Sequence, residues 1–302
     1  DPSFPANQMA GMELVGLKQH LPSIDLGRAD RILSIDADFL GFEGDVTLNT
    51  KAYSKKRDVS SFEEKGEIAK AEMNRLYMVE SNFSVTGAAA DHRLLLKSSQ
   101  IEAFLAGWAG YLLDNDKGAI PAGSAAFVKN LKARLEELED KHEALYKQWK
   151  PWYVALSDDF VQHKGRSLVL VGERQSPPMH ALGLFLNALL SNIGPKAPIS
   201  HYIKQDLFEA KTLDAFAKSI NSGDVKQVVI LGGNPVYSAP ADIDISTALQ
   251  GCEYSVHLSQ HLDETSQVTT WHAPINHFLE SWGDLWSSDG SVALQQPLIA
   301  PL

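Results

Sequence analysis

Cysteine is nearly absent from this sequence, because Cys252 is the single one among 302 residues. One thiol excludes an internal disulfide, a zinc site built from several thiolates and a cysteine-ligated iron–sulfur cluster within these residues. It leaves the redox compartment open, since exported proteins can also do without disulfides. The chain begins with Asp1 rather than Met, and we interpret it as an excised part of a longer polypeptide.

Long apolar runs and basic clusters are missing as well. The longest apolar piece, residues 181–190, contains Asn187 and is shorter than the ~20 residues that a membrane helix needs. Lys and Arg number 27 against 38 Asp and Glu, which gives a formal net charge of −11. This balance argues against nucleic acid as a partner, and the short apolar runs argue against direct membrane insertion. No nucleophile elbow of the Gly-x-Ser-x-Gly type and no P-loop occurs.

The clearest strand-and-turn signal in the chain lies at residues 227–235. Residues 228–231 are four large apolar residues in a row, three of them β-branched. They predict a strand that has neighbours in its sheet and helices over both faces. A turn without side-chain bulk follows, because the next residues are Gly232, Gly233, Asn234 and Pro235. Phosphate-bearing ligands usually bind at such exits from parallel sheets, although many α/β proteins use a Gly-Gly turn with no ligand.

Short apolar runs alternate with helical patterns along the rest of the chain. Strands are predicted at 31–36, 75–80, 94–96, 167–171, 199–203, 227–231 and 254–258. Helices are predicted at 99–113, 124–149, 152–163, 179–193 and 212–222, with Pro151 separating the second and the third. Residues 1–28 indicate a loop, and residues 43–72 indicate a polar surface excursion that contains a helix.

This alternation predicts an α/β protein of two doubly wound, mostly parallel-sheet lobes. The first lobe is expected over residues 1–163, including the long helix at 124–149, and the second over residues 164–302. The two lobes also repeat each other in sequence. Residues 29–39 parallel 225–235, and residues 76–91 parallel 255–270. The matched spacing predicts duplicated lobes of the nucleotide-binding type that face each other.

The ordered motifs together resemble the central two domains of the molybdopterin oxidoreductase (dimethyl-sulfoxide reductase) superfamily. The resemblance extends over nearly the whole chain and rests on residues 29–38, 79–91, 169–172, 181–194, 233–235, 263–265 and 280–297. It implies that a molybdopterin guanine dinucleotide, where one is bound, would contact family-equivalent positions. Those positions are Gly232, Gly233, Asn234, Pro235, Gly172, Ser176, Asp38, Thr86 and Asp91.

One branch of the superfamily is the most similar, on the residues 36–41 and 85–94. It contains the large iron–sulfur subunit of alternative complex III and related quinol-oxidising membrane complexes. The resemblance implies a pterin-less domain, with iron–sulfur clusters outside these residues. It further implies a periplasmic location, and attachment to the membrane through other subunits of an electron-transfer complex.

Several departures from the superfamily pattern favour a vacant domain. Asp38 stands where the superfamily usually has Asn, and a carboxylate there would repel a guanosine diphosphate. Thr269 and Thr270 replace the Ala-Asp pair in the second repeat. No Cys precedes residue 252, and Ser3 and Ser23 lack any motif that would make either a metal ligand. We therefore assign no catalytic and no metal-ligating residue.

Some single residues allow two interpretations. Asp36 and Asp38 follow a strand, where catalytic carboxylates often lie, but capping of the turn is favoured. His257 and His261 have a spacing that suits metal ligation on a helix, whereas at a strand end they indicate structural histidines. Near the C-terminus stand aromatic residues that indicate packing in a core or between domains, or else a docking face for a partner subunit, namely Trp271, Phe278, Trp282 and Trp286.

Three functions are compatible with the sequence. The first is a non-enzymatic scaffold, the pterin-less domain of a respiratory electron-transfer subunit. The second is part of a molybdenum bis-pterin oxidoreductase whose other domains supply the metal ligand and the clusters. The third is an unrelated nucleotide-binding α/β module. The sequence favours the first, and whether the complete protein is an enzyme stays open.

Overall fold

The computed structural model describes residues 5–58, 60, 73–204, 212–286 and 291–301. The chain divides into two compact units, residues 1–206 and 207–302. The helices and strands of the first unit are α1 (Ala6–Leu14), β1 (His20–Ile24), β2 (Arg31–Ile35), α2 (Val46–Lys55), β3 (Arg75–Glu80), α3 (Val85–Ala88), β4 (His92–Leu95), α4 (Ser98–Asp114), α5 (Ala125–Gln162), β5 (Ser167–Val171), α6 (Pro177–Leu189) and β6 (Ile199–Lys204).

A parallel sheet of four strands in the order β4-β3-β2-β5 forms the centre of the first unit. Successive side chains of β2 point to opposite faces, and each face has its own core. Leu33 and Ile35 pack in the core that contains α4 and α5, whereas Ile32 packs with Met12 of α1 and Tyr53 of α2. The prediction of an α/β fold with parallel, doubly covered strands is confirmed for this unit.

The boundary between the units differs from the expected division after residue 163. Strand β5 is hydrogen bonded in parallel register with β2, so that Ser167 lies opposite Arg31. Residues 164–206 therefore belong to the first unit. Nothing local in the sequence distinguishes a strand that opens a new sheet from one that completes the preceding sheet, since both are short buried apolar runs.

The predicted loop near the N-terminus is wrong. Residues 5–28 are not a loop, because they form α1, β1 and a short 3₁₀ turn at Leu26–Arg28. The predicted strand at 199–203 is present but pairs antiparallel with β1, in a separate ribbon where His20 lies opposite Lys204. Pro22 is tolerated in β1 because each strand of a two-stranded ribbon has one edge without a partner strand. A residue that lacks an N–H leaves no hydrogen bond unmade at that edge. Of the predicted polar excursion at 43–72, α2 is observed, and residues 59 and 61–72 lie outside the described part.

The long helix α5 continues through Pro151, so the predicted break between two helices at this proline is wrong. Its backbone departs from helical geometry at His142 instead, with φ −129° and ψ 24°. Proline inside a helix removes one hydrogen bond and clashes with the preceding turn, at a cost of ~3 kcal/mol. Buried aromatic rings on both sides of Pro151 offset this cost, because Trp149 and Tyr153 both pack on Phe104 of α4, at centroid distances of 5.6 and 5.4 Å.

The second unit is built around a smaller parallel sheet in the order β7-β8-β9. Helices pack on one face of it, in a core that contains Ala217, Val228 and Leu249. An antiparallel pair, β10-β11, forms a separate ribbon. The elements are α7 (Leu213–Asn221), β7 (Gln227–Leu231), α8 (Pro235–Ser238), α9 (Ile245–Gln250), β8 (Tyr254–Ser259), α10 (Glu264–Val268), β9 (Trp271–Pro274), a 3₁₀ turn (Phe278–Glu280), β10 (Gly283–Trp286) and β11 (Val292–Gln295).

The strand at 227–231 is present, but its expected burial on both faces is wrong. β7 lies at the edge of its sheet, and Val229 and Leu231 are 63% and 78% exposed. Core packing is also wrong for Trp271, Phe278 and Trp282, which are exposed. The side chain of Trp286 lies outside the described residues. Among the described helices, none combines the length and the apolarity that crossing a membrane requires.

Replacing the proline within α5 tests the account of this helix. We expect Pro151→Ala to raise the free energy of unfolding by about 1–3 kcal/mol, because alanine restores the missing N–H and removes the clash. The measurement is the midpoint of urea denaturation followed by circular dichroism. The neighbouring exposed change Lys150→Ala serves as the control and should shift stability by less than ~0.5 kcal/mol. A lower midpoint for Pro151→Ala would contradict the account.

Candidate functional site

The order of strands in the first sheet reverses between β2 and β5. In open parallel sheets ligands bind at such a switch point, at the carboxyl ends of the strands. The loop after β2 (residues 36–45) and the loop after β5 (residues 172–176) meet here. Gly172 N–H donates to Ile35 O at 2.9 Å, and a Cβ on Gly172 would lie 2.2 Å from Asp36 O. Only glycine allows the two loops to approach this closely.

Asp36 and Asp38 both use their carboxylates to hold the turn after β2. Asp36 has a positive φ of 55° and accepts hydrogen bonds from Ser81 N (3.2 Å) and Gln175 Nε2 (3.0 Å). The buried Asp38 Oδ1 accepts from both Thr86 N (2.8 Å) and Thr86 Oγ1 (2.7 Å). Both carboxylates therefore have a structural role, but they bind groups of neighbouring loops and not the N–H groups of their own turn.

Thr86 completes a connection that we call the loop clip, defined by Asp38 and Thr86 in the first unit. Its Oγ1 donates to Asp38 and accepts from Leu40 N at 3.0 Å. Next to it, the carboxylate of the buried Glu80 accepts from Ser84 Oγ at 2.6 Å and pairs with Arg93. The loop after β2 is thus tied to the loop after β3 by groups that are satisfied within the protein.

The second unit contains the same loop clip, formed by Asn234 and Thr265. Asn234 Oδ1 accepts from Thr265 Oγ1 at 2.7 Å, and Thr265 Oγ1 accepts from Val236 N at 3.1 Å. Gly232, which corresponds to Asp36, likewise has a positive φ, of 64°. The sequence repeat is therefore confirmed as a repeat of hydrogen bonds, with Asp38 and Asn234 in equivalent positions.

Asp91 does not join the other site residues of the first unit. Its Oδ2 accepts from Leu76 N at 2.8 Å, at the beginning of β3 and hence at the opposite edge of the sheet. In the second unit Thr270 makes the corresponding bond, because its Oγ1 accepts from Ser255 N at 3.0 Å. The exchange of Asp for Thr thus preserves a structural role in pinning the strand.

The loop at 172–176 has few donors left for a phosphate group. Glu173 N donates to Glu43 Oε2 at 3.2 Å, and Gln175 N donates to Gly172 O at 2.9 Å. Ser176 is the N-cap of α6, and the first two residues of that helix are Pro177 and Pro178, which lack an N–H. The next two amides, of Met179 and His180, donate to Ser176 O. The anion-binding capacity of a helix N-terminus is largely used up here.

Glu43 takes the place that an anion would occupy beside this loop. It is only 7% exposed, and burial raises its pKa to about 7. The hydrogen bond from the Glu173 amide acts in the opposite direction and lowers this pKa. The carboxylates of Glu173 and Asp36 also raise this pKa. A diphosphate would meet this group of carboxylates at the switch point. The residues present therefore do not fit the phosphates of a dinucleotide.

The Gly232–Pro235 turn of the second unit is also engaged in internal hydrogen bonds. Gly232 N donates to Leu258 O at 2.8 Å, and the imidazole Nε2 of His257 lies 2.9 Å from Gly233 O. Asn234 Nδ2 donates to Glu264 Oε2 at 2.6 Å. Pro235, at the first position of α8, has no N–H to offer. Both glycines nevertheless have positive φ and open space where a side chain would be.

His257 and His272 have structural contacts within the second unit. His257 is fully buried and its Nδ1 lies 2.8 Å from Ser266 Oγ, while His272 Nε2 lies 3.2 Å from Ser259 Oγ. The part of the chain that the structure describes contains no group of three His, Cys, Asp or Glu side chains arranged to hold a metal ion.

Glu43 is the site residue that the sequence did not indicate. It lies in a polar, charged stretch, and its partner Glu173 is 130 residues further along the chain. No local pattern marks a carboxylate that becomes buried by such a distant contact, so only the fold reveals it.

Two substitutions at Asp38 test the loop clip. We expect Asp38→Asn to change the free energy of unfolding by less than ~1 kcal/mol, because the amide oxygen can accept the same two bonds, and Asn234 Oδ1 accepts from the equivalent Thr265 Oγ1 in the second unit. Asp38→Ala leaves a buried N–H and hydroxyl unpaired and should cost about 2–4 kcal/mol. Urea denaturation of both variants measures this. Equal losses in the two variants would contradict the role of the oxygen acceptor.

The raised pKa of Glu43 predicts a pH-dependent loss of stability. The carboxyl group ionises near pH 4.5 when unfolded but only near pH 7 when folded, so rising pH favours the unfolded chain across this window. We expect the stability of Glu43→Gln relative to the wild type to increase by an amount on the order of 3 kcal/mol across it. Denaturation at several pH values measures the difference. The exposed Glu253→Gln is the control, and a matching pH profile for both variants would refute the prediction.

Comparison with known proteins places the fold. No protein-family model matches the chain, and no curated protein matches it either. Among solved structures, acetylene hydratase from Pelobacter acetylenicus is similar, with a TM-score of 0.65 at 12% sequence identity. The match covers 99% of this chain and 48% of acetylene hydratase, so the chain spans about half the length of that protein. At 12% identity this likeness shows the fold alone.

Proposed function

We propose that this chain is a structural, pterin-less module of a larger molybdopterin-oxidoreductase-like subunit that serves a respiratory electron-transfer complex. The fold likeness to half of acetylene hydratase supports a module within a longer protein. The sequence resemblance to the large iron–sulfur subunit of alternative complex III supports the respiratory role.

The proposal rests on the switch point of the first sheet, where hydrogen-bonding groups that could contact a phosphate are already paired within the protein. The Glu43 carboxylate accepts a hydrogen bond from the backbone N–H of Glu173. Pro177 and Pro178, the first two residues of α6, have no N–H to donate. The carboxylate of Asp38 is bound to Thr86. A site that satisfies itself in this way, and is negatively charged, opposes the binding of a diphosphate.

The module then acts through its shape rather than through chemistry. In this proposal it holds the cluster-bearing parts of the complete protein in position and contacts other subunits of a membrane-bound complex. Iron–sulfur clusters would be carried outside these residues, since one cysteine cannot ligate a cluster. The proposal includes a periplasmic location and membrane attachment through partner subunits, with no nucleic acid as a partner.

An active molybdenum bis-pterin oxidoreductase is the alternative, and one observation favours it. Gly232 and Gly233 have positive φ, and nothing lies within 4 Å of the positions that their side chains would take. Such a turn permits the backbone to approach a ligand closely. The alternative requires that the second unit binds the dinucleotide phosphates that do not fit the first unit.

Elemental and cofactor analysis of the complete protein separates the two proposals. We expect no molybdenum or tungsten above background, and no pterin fluorescence after acid release. Metal and pterin in stoichiometric amounts would overturn the scaffold proposal in favour of the alternative. Titration with a mononucleotide is a separate arm, and binding without metal or pterin would instead favour a nucleotide-binding module.

A further inference from the structure

The sheet of the second unit has a face that lies opposite to the helices of its core, and we call it the open face. Successive side chains of a strand point to opposite faces. Val228 of β7 packs in the core under the helices, so the next residue, Val229, points away from them. Parallel register joins the outward side chains of β7, β8 and β9 into two rows. The open face is formed by these rows, which are Val229, Val256 and Trp271, and Leu231, Leu258 and Ala273.

Strand β8 has the reverse of the polarity that a sheet with one solvated face shows. Its side chains on the helix side are polar and buried, namely Ser255, His257 and Ser259. Its outward side chains Val256 and Leu258 are apolar and only half-buried. A sheet that has solvent on one side normally carries apolar residues inward and polar residues outward. The sequence of β8 is therefore typical of a strand whose outward face is covered as well.

The apolar side chains of the open face are largely uncovered within this chain. Val229 is 63%, Leu231 78% and Trp271 60% exposed. The two rows contain no charged residue, and none of their six members belongs to a core of the described residues. Adjoining exposed apolar side chains mark interaction sites, and parallel sheets are normally covered by helices on both faces. We infer from this that a helix is the element that fits the open face.

The second unit is strongly acidic. Residues 207–302 contain 11 Asp and Glu against three Lys and no Arg, which gives −8 of the net charge of −11. Lys218 pairs with Asp214 at 2.7 Å, and Lys226 pairs with Glu253 at 3.3 Å. The third lysine, Lys211, lies outside the described residues. In the described part of this unit, the charge that remains beyond these two pairs is carried by carboxylates.

Carboxylates stand at both ends of β8. Glu253 directly precedes the strand, and Glu264 begins α10 beyond its other end. Both residues are exposed, and the neutral amide of Asn234 that donates to Glu264 leaves its charge uncompensated. A helix laid along the strands would bring its two ends near these carboxylates. Complementary charge at such positions favours Lys or Arg on the helix.

We propose that the open face binds an amphipathic, basic helix of a partner subunit. The apolar stripe of this helix covers the two rows, and its Lys and Arg side chains meet the carboxylates at the strand ends. The inference rests on the proposed function, since it names the surface through which the module contacts another subunit and the chemistry of that partner. A second copy of this chain does not fit, because it would bring the same negative charge to the interface.

Synthetic peptides and the full chain test the proposal. The first peptide is a helix with a leucine stripe flanked by lysines, and the second has glutamates in place of the lysines. The third has the composition of the first in an order that forms no stripe. Fluorescence anisotropy measures binding, and we expect the first peptide to bind at least ~10-fold more tightly than either of the others. Equal affinity of the first peptide and one of the others, or no binding at all, would overturn the proposal.

A matched pair of substitutions locates the site. Leu231→Ser and Leu294→Ser each replace a leucine that is 78% exposed, but Leu294 lies in the separate β10-β11 ribbon. Leu231→Ser should weaken binding of the lysine peptide at least ~10-fold, because an apolar contact of the interface is lost. Leu294→Ser should retain the affinity, and circular dichroism melting checks that both variants are folded. Unchanged affinity of folded Leu231→Ser, or an equal loss in both variants, would refute the assignment.

Two further measurements address other occupants of the open face. We expect the full chain to sediment as a monomer, and a dimer that Leu231→Ser dissociates would overturn the proposal in favour of a second copy. Binding to phosphatidylcholine vesicles that Leu231→Ser abolishes would overturn it in favour of a lipid surface.

The cofactor analysis of the complete protein is independent of these tests. Stoichiometric molybdenum and pterin would end the scaffold proposal and leave the peptide result intact. A failed peptide test without metal or pterin would instead end only the assignment of the open face.

Discussion

The loop clip is the interaction on which the rest of the molecule depends. In each unit the chain must leave one parallel strand, turn without bulk and meet the loop that follows the neighbouring strand. Asp38 with Thr86, and Asn234 with Thr265, satisfy the backbone and hydroxyl groups of this junction. A buried polar group without a partner is costly, so the clip determines which side chains stay available at the carboxyl edge of each sheet.

In the first unit few hydrogen-bonding groups at this edge are available to a ligand. The same edge that would bind phosphates in a dinucleotide fold is satisfied from within, by Glu43 on the amide of Glu173 and by prolines at the start of α6. An internal carboxylate in this place supplies the negative charge that a ligand would otherwise bring. The fold is thereby preserved while its usual binding capacity is reduced, as the proposed structural role requires.

The helical pair α4 and α5 illustrates how distant packing overrides local signals. Pro151 predicts the end of a helix, yet the rings of Trp149 and Tyr153 on Phe104 hold the helix together across it. The irregularity occurs at His142 instead, where neither Pro nor Gly marks it in the sequence. Burial of several large aromatic side chains, each worth about 1.5–3 kcal/mol, outweighs one broken backbone hydrogen bond.

The sequence by itself determined the elements that depend on neighbours along the chain. Alternating apolar runs and turn residues predicted strands β2 to β8, helices α2 and α4 to α7, and the repeat with its Thr86 and Thr265, because periodicity and backbone preference are local properties. They did not predict β1, β9, β10 or β11. Only the tertiary structure decided that β5 joins β2, that β7 is an exposed edge, and that Glu43 reaches Glu173. These depend on contacts between residues far apart in sequence, whose free energy no local pattern records.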